Sequence, residues 1–235
     1  MRVMTFNILH GLDYKNKIID LDLFVSSIKK YRADVCGLNE VRGEGPLDGY
    51  TDQTNALGDG LGFSRYFGEA IKVDGTSPYG NAIVSRYPFK SVETVLIPDP
   101  DDKNEESYFE TRCVIKAVAD VDGTDICFLV CHMGLMESER KNAVETLCKM
   151  LDEIKSPLIL MGDFNTEGQD PVLAPLFERL EDTCNKAAEK TFPSDNPRVK
   201  IDYILYKGLE CVDVTTVKEV ISDHLPIFAD FKLNK

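Results

Sequence analysis

Apolar positions along this chain follow two rhythms that alternate from one end to the other. Short apolar runs of strand character occur at Val3 to Leu9, 34–38, Tyr66 to Val73, Gly80 to Ser85, Ser91 to Ile97, Cys113 to Val121 and Asp125 to Cys131. Further runs follow at 158–162, 201–206, 210–217 and 226–232. Between them, apolar residues recur at helical spacing: Ile18, Leu21, Val25 and Ile28 in one segment, and Ala143, Leu147, Met150 and Ile154 in another, with acids in the first turn from Glu137. A short helix is predicted near 171–180. Asp122-Gly123 between two runs predicts a hairpin. The stretch 43–62 carries many glycines, while the acidic proline-bearing stretch 98–106 and the charged stretch 185–200 read as loops.

No repeat, low-complexity tract or linker divides the pattern, so residues 1–235 read as one domain. It has more strands than a simple doubly wound sheet uses. Two mixed sheets packed face to face, with helices outside, is the layer arrangement that buries every apolar face. The expected class is therefore α/β (α+β), a four-layer α/β/β/α sandwich.

Composition narrows the class without naming a function. Hydrophobic residues make up 43% and charged residues 29%, ordinary values for a soluble globular protein. The apolar runs fall far short of the ~20 residues that cross a bilayer, and the N-terminus reads at once as a strand rather than a leader. Seven cysteines, most inside apolar runs and with no CxxC pair, read as buried thiols in a reducing, cytoplasmic setting. The net charge of −13 argues against a protein that grips long nucleic acid through a basic face, although a local basic patch or bound cations would still permit a nuclease. Nothing in the sequence indicates a protein partner.

Candidate chemistry collects at the polar ends of the apolar runs. Leu158-Ile159-Leu160-Met161-Gly162-Asp163-Phe164-Asn165 presents a carboxylate and a carboxamide two residues apart, which on an extended strand point the same way. Near the C-terminus, Ser222-Asp223-His224-Leu225-Pro226 offers a histidine that exchanges protons near neutral pH beside an acid able to hold a metal or its water shell. Asp202 opens the strand Ile201 to Leu205, and His132 ends the run 126–131. Asn7 ends the first strand. Glu40 follows the buried run 35–39, a hard oxygen donor of the kind Mg²⁺ takes. Arg42, two residues beyond Glu40, is a candidate phosphate contact. Each has a plainer alternative: Asn7 as a turn cap, Glu40 and Asp202 as isolated strand-end acids, Arg42 as a surface charge.

These segments, in this order, resemble the endonuclease/exonuclease/phosphatase family of metal-dependent phosphodiesterases, through GDFN at 162–165, SDHxP at 222–226, the IDYI-type strand at 201–204, the opening strand ending at Asn7, and the strand ending at Glu40. The resemblance runs from residue 3 to residue 228 and implies the same four-layer sandwich. It implies that Glu40, Asn7 and Asp223 hold Mg²⁺ (or Mn²⁺), that Asp163 activates water, and that Asn165 donates to the transition state. By the same resemblance Asp202 orients His224, and His132 is the second histidine of the deoxyribonuclease and sphingomyelinase branches. Arg42, Arg112 and Asn81 would contact substrate phosphate. The acidic partner that some relatives provide for the second histidine is not identifiable. The expected activity is divalent-metal-dependent hydrolysis of a compact phosphodiester, nucleotide-derived or from a lipid headgroup. The alternatives are an Mg²⁺-dependent nuclease, a phosphomonoesterase, or a non-catalytic phosphate- or protein-binding module.

Overall fold

The computed structural model describes residues 1–101, 103, 108–183 and 189–233. In chain order the strands are β1 (Arg2–Asn7), β2 (Leu12–Asp13), β3 (Ile18–Ile19), β4 (Val35–Arg42), β5 (Ser64–Val73), β6 (Ser77–Ser85), β7 (Phe89–Leu96), β8 (Cys113–Val121), β9 (Thr124–His132), β10 (Leu158–Asp163), β11 (Glu181–Asp182), β12 (Asp202–Lys207), β13 (Leu209–Thr216) and β14 (Ile227–Leu233). The helices are α1 (Leu21–Tyr31), α2 (Gln53–Leu61), α3 (Glu137–Glu153) and the single turn α4 (Ala174–Phe177). Among the described residues two six-stranded sheets form, ordered β13-β14-β1-β4-β6-β5 and β11-β12-β10-β9-β8-β7. Both are mixed: β1 pairs parallel to β4 and β10 parallel to β9, while their other neighbours run antiparallel. No helix of the described residues is long and apolar enough to cross a membrane.

Strand parity explains the layers. Along β10, Ile159 and Met161 join a core shared by both sheets, whereas Leu158 and Leu160 join the core beneath α3 and α4. β9 repeats the division, with Ile126, Phe128 and Val130 inward and Cys127, Leu129 and Cys131 under the helices. On the other sheet Val3 and Val35 face inward, while Met4, Phe6, Cys36 and Leu38 pack with Phe24, Val25 and Ile28 of α1. Both faces of each sheet are covered, which is why these strands read as unbroken apolar runs. The result is the four-layer sandwich.

Several boundaries differ from the sequence reading. Residues 53–61, within the glycine-bearing stretch to which the sequence pattern assigns no element, form α2. Asp52 caps this helix by accepting from Asn55 N, and Gly62 closes it in the left-handed conformation. Its internal glycines hid it, because glycine disfavours helix in isolation. At Gly60, however, a Cβ would lie 2.8 Å from Val25 Cγ2, so the missing side chain is what admits α1. Ile18 lies outside α1, exposed in the short β2–β3 ribbon. The first strand stops at Asn7, and the 171–180 segment is a 3-10 turn (Pro171–Leu173) running into α4. Within the expected loops, residues 102, 104–106 and 185–188 lie outside the described residues.

Candidate active site

Register alone assembles half of the site. Asp163, the last residue of β10, stands opposite His132 on β9 and opposite Asp202 on β12. Counting by twos from the inward residues Met161, Val130 and Ile204 puts all three side chains on the face between the sheets. Gly162 makes this possible. Its φ is +146°, and a Cβ there would fall 1.7 Å from the Cys131 carbonyl oxygen, so only glycine fits before Asp163.

The opposite sheet contributes through β1 and β4. Asn7 and Asn39 pair in register and point inward with Thr5 and Gly37. Continued alternation would turn Glu40 toward the helices. Instead the pairing with β6 shifts between Leu38 and Val41, and Glu40 takes φ +58°. This bulge re-aims its carboxylate into the gap between the sheets, the use to which bulges beside active sites are commonly put. There Glu40 Oε1 accepts from Asn7 Nδ2 at 2.9 Å and Oε2 accepts from Tyr79 Oη at 2.9 Å. Asn7 Nδ2 also reaches Asp163 Oδ2 at 3.1 Å, linking carboxylates from two sheets.

Asp163 lies between two histidines, with His132 Nε2 3.6 Å and His224 Nε2 3.5 Å from Oδ2. His224 Nδ1 is 2.9 Å from Asp202 Oδ2, and its ring packs on Phe192 with centroids 4.7 Å apart. The loop before β12 clamps the SDH segment: Ser194 N donates to Asp223 O at 2.7 Å, and Leu225 N donates to Thr191 O at 2.8 Å. Asn165 sits at φ +51°, donating N–H to Asp163 Oδ1 at 2.9 Å and Nδ2 to Met133 O at 2.9 Å.

The two histidines occupy opposite electrostatic environments. Burial opposes a charge on His224, but Asp202 and Asp163 outweigh it and push its pKa up to about 10. Burial, then Arg112 and His224, holds His132 well below the ordinary histidine value. Arg112 Nη1 lies 3.0 Å from His132 Nδ1 and Asn165 Nδ2 lies 3.1 Å from Nε2, so both ring nitrogens face donors, in keeping with an uncharged ring. Burial raises the Asp163 carboxyl, with the His224 cation pulling against it.

A cavity of about 320 Å³ opens onto this group, lined by Glu40, Tyr79, Tyr108, Glu110, Arg112, His132, Leu135, Asp163, Asn165, Phe192, Asp223 and His224. A larger hollow of about 670 Å³ lies between α3 and residues 170–179, but its lining includes no histidine and Lys141 there already pairs with Glu137. The candidate residues gather at the smaller one.

Two sequence-derived candidates stand elsewhere. Asn81 is buried behind the cavity, its Nδ2 donating to Cys113 O at 3.0 Å and its Oδ1 accepting from Asn39 at 2.8 Å. It faces the correct way, but two residues on a strand amount to about 7 Å of depth, and Tyr79 takes the cavity position. Arg42 is not among the lining residues; its Nη1 contacts Gly49 O at 3.4 Å and its guanidinium lies 4.6 Å from the Tyr50 ring centroid. Asn7 braces Glu40 through Nδ2, and its Oδ1 accepts from Leu9 N at 3.1 Å. The partner of the second histidine is Arg112, not an acid.

Sequence reasoning missed Asn39, Tyr79, Glu110 and Phe192. Asn39 joins the sheets, accepting from Asp163 N at 3.0 Å and donating to Cys131 O at 3.2 Å. Its signal was a lone amide within an apolar run. Glu110 and Phe192 lie on irregular segments without periodicity, so no pattern pointed to them.

The donor chemistry suits a divalent cation. Asp163, Asp202 and His224 bring potential ligand atoms within 4.8 Å of one another, all buried, and with His224 protonated the carboxylate oxygens are the donors. Asp202 Oδ1 is buried without a hydrogen-bond partner among the described residues. Four carboxylates line the cavity against Arg112 as its permanent cation. Such an excess of buried negative charge calls for a cation or for protons.

Comparison with known proteins identifies the family. The model of the Endonuclease/Exonuclease/phosphatase family matches residues 4–224. The chain belongs to that family. YbhP of Escherichia coli strain K12 is 27% identical over 252 residues, covering 99% of this chain and 96% of YbhP. A family protein from Leptotrichia buccalis superposes with a TM-score of 0.80 at 21% identity, covering 99% of this chain and all 100% of that one. A mannosyl-6-phosphatase from Bacteroides thetaiotaomicron superposes with a TM-score of 0.76 at 15% identity, covering 99% of this chain and 100% of that one. At these identities the superpositions establish a common fold.

Proposed function

We propose that this protein is a divalent-metal-dependent hydrolase of phosphodiester bonds, acting on a compact nucleotide-derived or lipid-headgroup substrate. The observation that carries the reading is Asp163, buried at the floor of a small cavity with a histidine nitrogen on either side. Water is a poor nucleophile toward a shielded, anionic phosphorus. A carboxylate made more basic by burial, as Asp163 is, orients water and accepts its proton near neutral pH. His224, kept cationic by Asp202, places a proton and a positive charge where the leaving oxygen develops charge. Asn165 and Arg112 offer donors to the non-bridging oxygens, with His132 held between them.

Glu40 and Asp223 would hold the cation, Mg²⁺ or Mn²⁺, with Asn7 and Tyr79 positioning Glu40. When bound, that ion supplies Lewis-acid neutralisation of phosphate charge. The cavity lining contains no lysine and one arginine, and the chain carries −13 overall, which favours a small substrate over a long polynucleotide.

Hydrolysis of bis(p-nitrophenyl) phosphate with Mg²⁺ or Mn²⁺ tests the proposal, alongside plasmid DNA, abasic-site DNA, RNA, sphingomyelin, cyclic nucleotides and inositol phosphates. The expected result is turnover that EDTA abolishes and that Asp163→Asn lowers by about a thousandfold, about 4 kcal/mol of transition-state stabilisation. No metal-dependent turnover on any phosphoester would favour a binding module instead.

A further inference from the structure

One carboxylate in the cavity has no part in the chemistry above. Glu110 Oε1 is 2.7 Å from Arg112 Nη1, with the two side chains only 11% and 10% exposed. Its Oε2 accepts from Tyr108 Oη at 2.7 Å. The Glu110 backbone N–H donates to Glu139 Oε1 at 3.0 Å, and Glu139, buried in the first turn of α3, accepts from Met136 N through its other oxygen. Glu110 is thus fixed at both ends, facing the one guanidinium in the lining.

The charge count gives this placement a consequence. Glu40, Asp163, Asp202 and Asp223 leave no positive charge unmatched, even with a divalent cation bound and His224 protonated. Arg112, otherwise the natural anchor for phosphate, is already neutralised by Glu110. A phosphodiester carries one negative charge, whereas a phosphomonoester carries between one and two at neutral pH because its second proton leaves near pH 6. A second substrate charge would meet Glu110 with no free cation to offset it.

We propose that Glu110 is a specificity-determining residue that selects phosphodiesters against phosphomonoesters at this site. The inference rests on the hydrolase reading above and extends it to a substrate class. The interaction is between charges in a partly enclosed cavity, so one unit of charge changes the preference by on the order of tenfold or more.

The test compares methyl p-nitrophenyl phosphate with p-nitrophenyl phosphate, which share a leaving group and differ by one ionisable oxygen. Glu110→Gln keeps the shape and the hydrogen bonds but removes the charge. Removal favours both esters, the dianion about twice as much in free energy, so the monoester-to-diester ratio of kcat/KM should rise about tenfold or more at pH 8. At a pH below the second pKa of the monoester, where it is a monoanion, the wild-type and E110Q ratios should converge. Enzyme titrations cancel because both substrates meet the same enzyme. An unchanged ratio at pH 8, or an equal rise at both pH values, would overturn the proposal; the latter would mark Glu110 as a structural brace. Binding gives an independent readout: the affinity ratio of inorganic phosphate to dimethyl phosphate at pH 8 should rise by a similar factor in E110Q. If the wild-type protein hydrolyses neither ester, the hydrolase reading fails, and this binding ratio alone decides the role of Glu110.

Discussion

At the scale of single residues, the site depends on conformations that few side chains tolerate. Gly162 is the sharpest case. Gly162→Ala forces a Cβ against the Cys131 carbonyl and a φ disfavoured for L-residues, so it should destabilise the fold by more than ~3 kcal/mol in urea unfolding. A variant within ~1 kcal/mol of wild type would refute the close approach. His224 makes a pH prediction in the EDTA-treated protein. Its folded pKa is raised from 6.5 to about 10, so its stabilising contribution is complete below pH 6.5 and is lost as pH rises through about 10. The stability difference between wild type and His224→Gln should therefore shrink steadily from pH 6.5 to 10. A constant difference would place the imidazolium outside the Asp202–Asp163 field.

Elements set where those residues point. Motif residues were legible because each lies within a few positions of its neighbours: Asp163 with Asn165, Asp223 with His224. Depth and rotation were not. Asn81 and Tyr79 share a face by parity, and only the pairing of β6 shows which one reaches the cavity. Glu40 required the β4 bulge, which local sequence does not announce. Asn39, buried between β4 and β10, should be as consequential as a motif residue. Asn39→Ala orphans Asp163 N–H and the Asn81 carboxamide oxygen, so a loss of about 2–4 kcal/mol is expected, with kcat falling more than KM because Asp163 loses its backbone anchor. Equal kcat at reduced stability would make Asn39 a fold residue only. Helix α2 offers the contrast: Gly60→Leu should push α1 away and lower Tm, yet leave kcat/KM within about twofold, as the contact lies on the outer face of its sheet.

Across the whole molecule, the net charge bears on the proposed binding of a cation. Net −13 is concentrated in part where four carboxylates line the cavity, so a divalent ion that binds the folded form should raise Tm. At a hundredfold excess over its Kd the gain is about 2.7 kcal/mol, and Asp223→Asn should diminish it. A Tm indifferent to Mg²⁺ and Mn²⁺ in calorimetry would remove the proposed ion.

What the sequence by itself determined was the family, the sandwich of two sheets and most of the candidate residues at the cavity, because strand periodicity and short motifs are local properties written in consecutive positions. Tertiary structure decided which of those residues meet. Pairing register set His132, Asp163 and Asp202 abreast, a bulge turned Glu40 inward, and segments distant in the chain brought Glu110 and Arg112 to the cavity beside His132. These outcomes depend on how strands slide and twist against one another, and that is fixed by packing across the whole core rather than by any stretch of chain alone.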